Sequence, residues 1–349
     1  MAPMKLYMLW PPHWFGLLTG ASDFTANPVL GSPALNRLGL HVLRKRAAHA
    51  ACQRRRQRLQ SGLPAGAVEA LSRDGFVKVE QFLPPESFAA VKAELAAAAL
   101  PMIEMAQPPA LTRRANLDTQ TCKRHYPALH RLITDRQLLG LLRYAAGYRG
   151  KPIIAIQCIH SNSEPHGPGH DPQTDWHADT FHSTAKAWLF LHDVGAQDGP
   201  FGYVPGSHLP TPARLEWERQ QSVLARAHAS RLHAKGSFRV NEAELTQLGY
   251  GAPFIGVVRA NTLVVADTGG FHRRTPSPQP TVRVEVYLSL RRNPFFSGLY
   301  PSVLSLPLLR DRWAGWAFRW YEYLLRKGRP GWIPMPGRGL SADEIRALR

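Results

Sequence analysis

Acidic residues and cysteines are both scarce in this chain of 349 residues. Asp and Glu number 25 against 43 Lys and Arg, so the formal net charge is +18. The three cysteines, Cys52, Cys122 and Cys158, are scattered and form no C-x-x-C pair. That spacing excludes a disulfide framework, argues against a structural zinc site and favours a reducing compartment. The excess of basic charge favours an anionic partner.

Long hydrophobic runs and nucleic-acid motifs are missing too. Residues 4–18 are apolar and aromatic, but the stretch is short and is interrupted by Pro11 and Pro12. It is therefore too short and too kinked for a transmembrane helix, and it is a poor signal peptide. The chain has no RNP strand, zinc finger or P-loop, so we expect no nucleic-acid partner. We expect a cytoplasmic protein whose partner is an anionic substrate, small or lipid-linked, or an anionic membrane surface.

The chain does contain one frame typical of a metal site. His177 and Asp179 stand two residues apart in Q-T-D-W-H-A-D-T-F, the only H-x-D in the sequence. On a strand, residues i and i+2 point to the same face, so both side chains can reach one ion. Two histidines and one carboxylate form the facial triad of non-haem Fe(II) oxygenases, and His272 downstream is the candidate for the second histidine. The alternative is a His that caps a turn and an Asp that bonds its own backbone.

Further motifs follow in a fixed order. Asp198–His208 reads D-G-P-F-G-Y-V-P-G-S-H, Trp188 lies in K-A-W-L-F-L, and Arg283 comes eleven residues after His272. The segment Leu71–Phe88 precedes them all. Together with W-H-A-D, this set resembles the phytanoyl-CoA dioxygenase family of Fe(II)/2-oxoglutarate oxygenases over about residues 67–295.

The resemblance implies a complete set of ligands and cofactors. His177, Asp179 and His272 would bind Fe(II) and form the catalytic centre, with 2-oxoglutarate and O2 as co-substrates. Related halogenases replace the carboxylate by a small residue, so Asp179 favours hydroxylation.

The same resemblance implies how the co-substrate is bound. Arg283 would hold the distal carboxylate of 2-oxoglutarate with a bidentate fork, and Trp188 would wall the same pocket. A second cationic contact is expected at Lys123 or Arg124. The family often has a hydroxyl residue two positions after the distal histidine, and here that position is Arg274.

The pattern of strands indicates the fold. We expect a mainly β protein with helical additions: a double-stranded β-helix (jelly-roll, cupin-like) core flanked by helices. Residues 107–116, which contain Pro108 and Pro109, are expected to be a loop. The predicted strands are Phe76–Val79, Pro152–Ile159, Ala187–Val194, Phe254–Val258, Thr262–Ala266 and Val282–Leu290.

Composition divides the chain into three parts. Residues 1–62 are an aromatic arm followed by a basic helix without acidic residues, residues 63–295 are the dioxygenase domain, and residues 296–349 are an aromatic and basic helical extension. Aromatic side chains beside basic ones favour a peripheral site at the inner face of a membrane. The alternative is that both ends pack on the core. Two other functions stay open: a lipid- or partner-binding protein without catalysis, and a metal-dependent cupin isomerase.

Overall fold

Two antiparallel sheets face each other at the centre of the molecule. The structure, a computed structural model, describes residues 11–162, 169–296 and 331–348. Its strands are β1 (Phe76–Val79), β2 (Pro101–Gln107), β3 (Ala110–Asn116), β4 (Ile153–Ser161), β5 (Trp176–His177), β6 (Ala185–Phe190), β7 (Phe201–Tyr203), β8 (Arg239–Val240), β9 (Phe254–Ile255), β10 (Thr262–Asp267), β11 (His272–Arg274), β12 (Thr281–Leu290) and β13 (Ile333–Arg338). The larger sheet has the order β1-β10-β6-β12-β4-β3-β2-β13 and the smaller one β8-β5-β11-β7-β9. The predicted double-stranded β-helix core is confirmed.

Helices cover this core. They are α1 (Pro11–Phe15), α2 (Pro33–Arg37), α3 (Leu40–Leu59), α4 (Ala65–Arg73), α5 (Pro85–Ala97), α6 (Thr119–His125), α7 (Pro127–Ile133), α8 (Arg136–Ala146), α9 (Pro212–Leu224), α10 (Arg231–Ala234), α11 (Glu242–Gln247) and α12 (Ala342–Leu348). None of the described helices is both long and apolar enough to cross a membrane.

Alternation along β12 separates the apolar core from the inner cavity. Val284, Val286 and Leu288 are fully buried in the cluster that the helices cover. Because successive side chains on a strand point to opposite faces, Arg283 and Glu285 point to the other side, toward the smaller sheet. The larger sheet thus presents polar side chains to the space between the sheets.

A hairpin replaces the loop predicted for residues 107–116. Strands β2 and β3 pair antiparallel with Gln107 opposite Ala110, so that Pro108 and Pro109 form only the turn. The prediction was wrong because proline excludes a strand only where a ladder hydrogen bond is needed, and both prolines lie in the turn. The hairpin brings Arg114 of β3 into the larger sheet.

The basic helix α3 packs into the body. Of its basic residues, Arg44, Lys45 and Arg56 are buried, and Arg56 Nη2 lies 2.8 Å from Asp267 Oδ2 at the end of β10. Lys45 Nζ lies 2.8 Å from Glu218 Oε1 of α9. The helix has no acidic residue of its own, and its counter-charges come from other elements. Part of the basic excess therefore stabilises the fold instead of facing solvent.

The described end of the chain is part of the same fold. Strand β13 pairs with β2 at the edge of the larger sheet. In α12, Glu344 is fully buried, and its two oxygens lie 2.7 Å from Arg113 Nη1 and 2.9 Å from His160 Nε2. Within the predicted carboxy-terminal extension, the aromatic and basic segment Trp313–Arg326, which we expected at a membrane interface, lies outside the described residues. Residues 1–10 of the aromatic arm lie outside them too.

Candidate metal centre and active site

The smaller sheet positions the two histidines predicted as ligands. His177 ends β5 and His272 begins β11, and the two are direct antiparallel partners in the register. Side chains at paired positions point to the same face, and the two rings lie 4.5 Å apart between centroids. Asp179 follows β5 by two residues, as the H-x-D frame requires. Residues nearly one hundred positions apart in sequence therefore meet at one point.

Three ligand atoms converge at this point. Asp179 Oδ1 lies 3.9 Å from His177 Nε2 and 3.6 Å from His272 Nε2. One ligand atom from each residue lies within 4.8 Å of the others, and no other group of this kind occurs in residues 11–162, 169–296 and 331–348. This spacing suits a first-row divalent ion, and two imidazoles with one carboxylate are the donor set of non-haem iron sites.

Backbone carbonyls fix the tautomer of both rings. His177 Nδ1 lies 2.7 Å from the Asp175 carbonyl oxygen, and His272 Nδ1 lies 3.1 Å from that of Gly270. Each Nδ1–H donates to its carbonyl, which leaves the lone pair of Nε2 free to bind a metal. His272 Nε2 is buried without any hydrogen-bond partner. A buried polar atom without a partner is costly, and a metal ion would satisfy it.

Burial keeps the ligands in the protonation states that a metal needs. Loss of hydration, together with the neighbouring His272, lowers the pKa of His177 to about 3, and burial lowers that of His272 to about 4. Burial alone would raise the pKa of Asp179, but Lys186 and the two histidines lower it well below its usual range. Lys186 Nζ lies 2.7 Å from Asp179 Oδ2, so Oδ1 faces the histidines. At neutral pH the site holds two neutral imidazoles and one carboxylate.

A cavity of about 400 Å³ opens beside these ligands between the two sheets. Two acidic side chains, Asp179 and Glu285, contribute to its lining. Aromatic rings complete the wall, among them Trp188, whose ring lies 4.5 Å from that of Phe201. The basic residues of the lining are Arg114, Lys186, Arg239, Arg273, Arg274 and Arg283. The cavity is therefore strongly positive and suits anionic ligands.

The predicted co-substrate residues do not all meet here. Arg283 and Trp188 line the cavity together with His177, Asp179 and His272. Lys123 lies exposed near the end of α6 and is not part of the lining. The turn of α6 directs this lysine to solvent. Arg274, at the position where the family often has a hydroxyl, is buried in an ion pair 2.5 Å from Asp171.

Five further residues of the cavity were missed. Lys186 stands two residues before Trp188, so strand alternation was a signal that places both on one face. Arg239 lies opposite His177 in the β5–β8 pairing. Arg114, Gln157 and Glu285 form a row across β3, β4 and β12. These positions depend on the register between distant strands, which periodicity within one segment does not reveal.

The sequence match agrees with this architecture. The family model "Phytanoyl-CoA dioxygenase (PhyH)" matches residues 71–236. This part of the chain is similar to the PhyH family. The PhyH match includes His177 and Asp179 but ends before His272 and Arg283. The roles of these two residues rest on their position in the cavity.

Solved structures provide a second comparison. The chain is similar to the non-haem, α-ketoglutarate-dependent epimerase SnoN from nogalamycin biosynthesis, with 19% identity over 63% of this chain and 80% of SnoN and a TM-score of 0.43. HygX from Streptomyces hygroscopicus, solved with nickel and 2-oxoglutarate, is 17% identical over 67% of this chain and 89% of its own, with a TM-score of 0.43. EctD from S. alaskensis is 14% identical over 65% and 76%, with a TM-score of 0.40. No curated protein sequence matches the chain.

Proposed function

We propose that this protein is an Fe(II)- and 2-oxoglutarate-dependent dioxygenase that hydroxylates an anionic substrate. The observation that carries the proposal is the convergence of His177 Nε2, Asp179 Oδ1 and His272 Nε2 on one buried point. Both imidazoles are neutral, and both are oriented by their Nδ1 hydrogen bonds. The match of residues 71–236 to the PhyH family supports the same chemistry.

The chain's own residues hold and orient the reactants. His177, Asp179 and His272 would bind the iron. When bound, iron and 2-oxoglutarate supply the oxidising power for O2-dependent attack on a C–H bond. Arg283 is the best-placed cation for the distal carboxylate of 2-oxoglutarate, because it lies on β12 in the wall of the cavity and a guanidinium matches a carboxylate with two hydrogen bonds. Trp188 excludes water from that wall.

Two basic residues of the cavity lining have no acidic partner among the described residues and are available to bind the substrate. Lys186, Arg273, Arg274 and Arg283 each have a carboxylate within ion-pair distance. No described carboxylate pairs with Arg114 or Arg239, which instead bond to neutral oxygens of Gln157 and of Ser237. Both guanidinium groups are partly buried, and a charge removed from water without a counter-charge is unfavourable. A substrate with an anionic group, small or lipid-linked, would provide that counter-charge.

The experiment that tests the proposal measures turnover of 2-oxoglutarate. Purified protein with Fe(II), ascorbate and O2 should form succinate from 2-oxoglutarate, and removal of iron by a chelator should abolish this activity. A protein that only binds lipid or a partner would form no succinate, and neither would a cupin isomerase. Mass spectrometry of the oxidised substrate, once it is found, would distinguish hydroxylation from other oxidative outcomes by the gain of one oxygen atom.

A further inference from the structure

The arginine proposed to bind 2-oxoglutarate already has a carboxylate beside it. Arg283 and Glu285 stand two residues apart on β12, and Arg283 Nε lies 3.0 Å from Glu285 Oε2. Glu285 is fully buried, and its other oxygen, Oε1, accepts a hydrogen bond of 2.5 Å from Gln157 Nε2. The negative charge of Glu285 is therefore fixed at the place where a second carboxylate would have to bind.

The contact between Arg283 and Glu285 is not an aligned hydrogen bond of the kind that orients a guanidinium group. Arg274 donates aligned hydrogen bonds from Nε and Nη2 to Asp171 Oδ2, at 3.0 and 2.5 Å. Arg283 Nε and Glu285 Oε2, although close, do not form an aligned hydrogen bond and have no other partner. Arg283 instead donates from Nη1 to the Gly199 carbonyl. Gly199 thus helps to orient the guanidinium, whereas Glu285 acts on it by charge.

We propose that Glu285 sets the affinity of the site for 2-oxoglutarate by weakening it. This inference rests on the proposed function. The distal carboxylate of the co-substrate gains the attraction of Arg283 but meets the repulsion of Glu285 in a site of low dielectric. A dianionic 2-oxo acid therefore binds less tightly than Arg283 alone would allow. Its occupancy then follows the 2-oxoglutarate concentration instead of saturating at low levels.

Glu285→Gln tests the inference, because it removes the charge and keeps the acceptor for Gln157. Full-length protein loaded with Ni(II) is titrated calorimetrically with 2-oxoglutarate and with 2-oxopentanoate, which has the same chain length but no distal carboxylate. We expect the Kd for 2-oxoglutarate to fall roughly fivefold or more. The Kd for 2-oxopentanoate should stay unchanged, whereas a general change in the packing of the cavity would alter both.

Glu242→Gln is the matched control. It also removes a carboxylate that pairs with an arginine of the lining, Arg273 at 3.1 Å, but this carboxylate is largely exposed. Its Kd for 2-oxoglutarate should equal that of the wild type. Glu285→Met is a second neutral variant of similar length, and it should show the same tightening if Glu285→Gln does not fold.

The outcomes separate the two proposals. An unchanged or higher Kd for 2-oxoglutarate in folded Glu285 variants would overturn the inference and make Glu285 an orienting residue for Arg283. If the wild type itself binds Ni(II) but not 2-oxoglutarate, the proposed function fails instead.

Discussion

Asp179 presents its two carboxylate oxygens to different partners. Oδ1 faces the Nε2 atoms of both histidines, while Oδ2 lies 2.7 Å from Lys186 Nζ. The lysine therefore holds the carboxylate in the orientation that one metal–oxygen bond requires. The site has its geometry before any metal binds, which is what preorganised sites need.

Substituting a ligand should remove the metal and leave the fold. His177→Ala and Asp179→Ala should each abolish stoichiometric Fe(II) binding and succinate formation, because two remaining ligands cannot form the triad. Metal content by atomic absorption and the thermal unfolding curve measure the two effects. His192→Ala is the control, since this histidine lies outside the cavity lining. Retained iron with normal turnover in Asp179→Ala would refute the ligand assignment.

The neutral state of His177 and His272 predicts how many protons are released when a metal binds. With pKa values of about 3 and 4 in the folded protein, both rings are already deprotonated at pH 6.5. Ni(II) binding at that pH should release almost no protons, and the affinity should stay constant from pH 8 to 5 and fall only near pH 4. Calorimetry in buffers of different ionisation enthalpy measures the release. Histidines with ordinary pKa values near 6.5 would release about one proton in total.

Arg283 should affect the co-substrate much more than the metal. Arg283→Ala is expected to raise the Kd for 2-oxoglutarate by the equivalent of about 2–5 kcal/mol, since it removes a charged partner from a buried site. The Kd for Ni(II) should change little. Titration of both ligands to the same preparation makes the comparison. A Kd for 2-oxoglutarate like that of the wild type would mean that another cation of the lining, such as Arg274, binds the distal carboxylate.

Elements differ in how far the sequence predicts them. Strands β1, β10 and β12 lie within one residue of their predicted bounds, because β-branched runs bounded by turn residues have a local signal. His177, Asp179, His272, Arg283 and Trp188 were found from motifs and do meet in the cavity. Lys123 does not, and the row formed by Arg114, Gln157 and Glu285 was not predicted. A row of side chains across three strands depends on register, which only the folded sheet defines.

Helix α3 shows that the partners of charged residues cannot be predicted from the sequence of one segment either. The sequence shows a basic, acid-free helix, and its counter-charges become visible only when Asp267 and Glu218 are brought to it by β10 and α9. Arg56 is 1% exposed and donates to the carbonyls of Tyr144 and Ala145 as well as to Asp267. Its Asp267 partner immediately precedes the turn that leads to His272. The helix thus supports the strand end from which the metal site is built.

Arg56→Met should destabilise the protein strongly. It leaves the buried Asp267 carboxylate without its counter-charge, which typically costs about 3–5 kcal/mol. Chemical denaturation of the full chain measures the change in the free energy of unfolding. Arg54→Met, an exposed position on the same helix, should change it by less than about 0.5 kcal/mol. Similar small effects for both variants would contradict the structural role assigned to α3.

At the scale of the whole molecule, a net charge of +18 has two uses. Some basic residues form buried ion pairs, and others line the cavity. Arg37, Arg46, Arg54 and Arg58 remain exposed on α2 and α3. Near them in sequence, Phe15 and Leu18 are 68% and 50% exposed. Exposed apolar side chains together with basic ones are the combination that peripheral membrane binding requires.

We propose on this basis that the amino-terminal region binds anionic membrane surfaces. Deleting residues 1–62 is a poor test, because it also removes the Arg56–Asp267 and Lys45–Glu218 ion pairs. Phe15→Ser with Leu18→Ser leaves those pairs intact. Val257→Ser with Ile333→Ser is the control, since both residues are more than half exposed and lie outside the amino-terminal region.

Sedimentation with anionic and neutral vesicles across a salt series measures the binding. Wild-type and control protein should pellet with anionic vesicles at low salt and be released as salt rises, because screening acts within about 10 Å at 0.1 M. Each exposed base contributes about 1 kcal/mol near such a surface, and the apolar side chains add to it. The Phe15/Leu18 variant should therefore stay largely in the supernatant. Equal recovery of all three proteins in the supernatant, with anionic vesicles at low salt, would contradict the proposal. The exposed bases would then have to be explained by an acidic soluble partner.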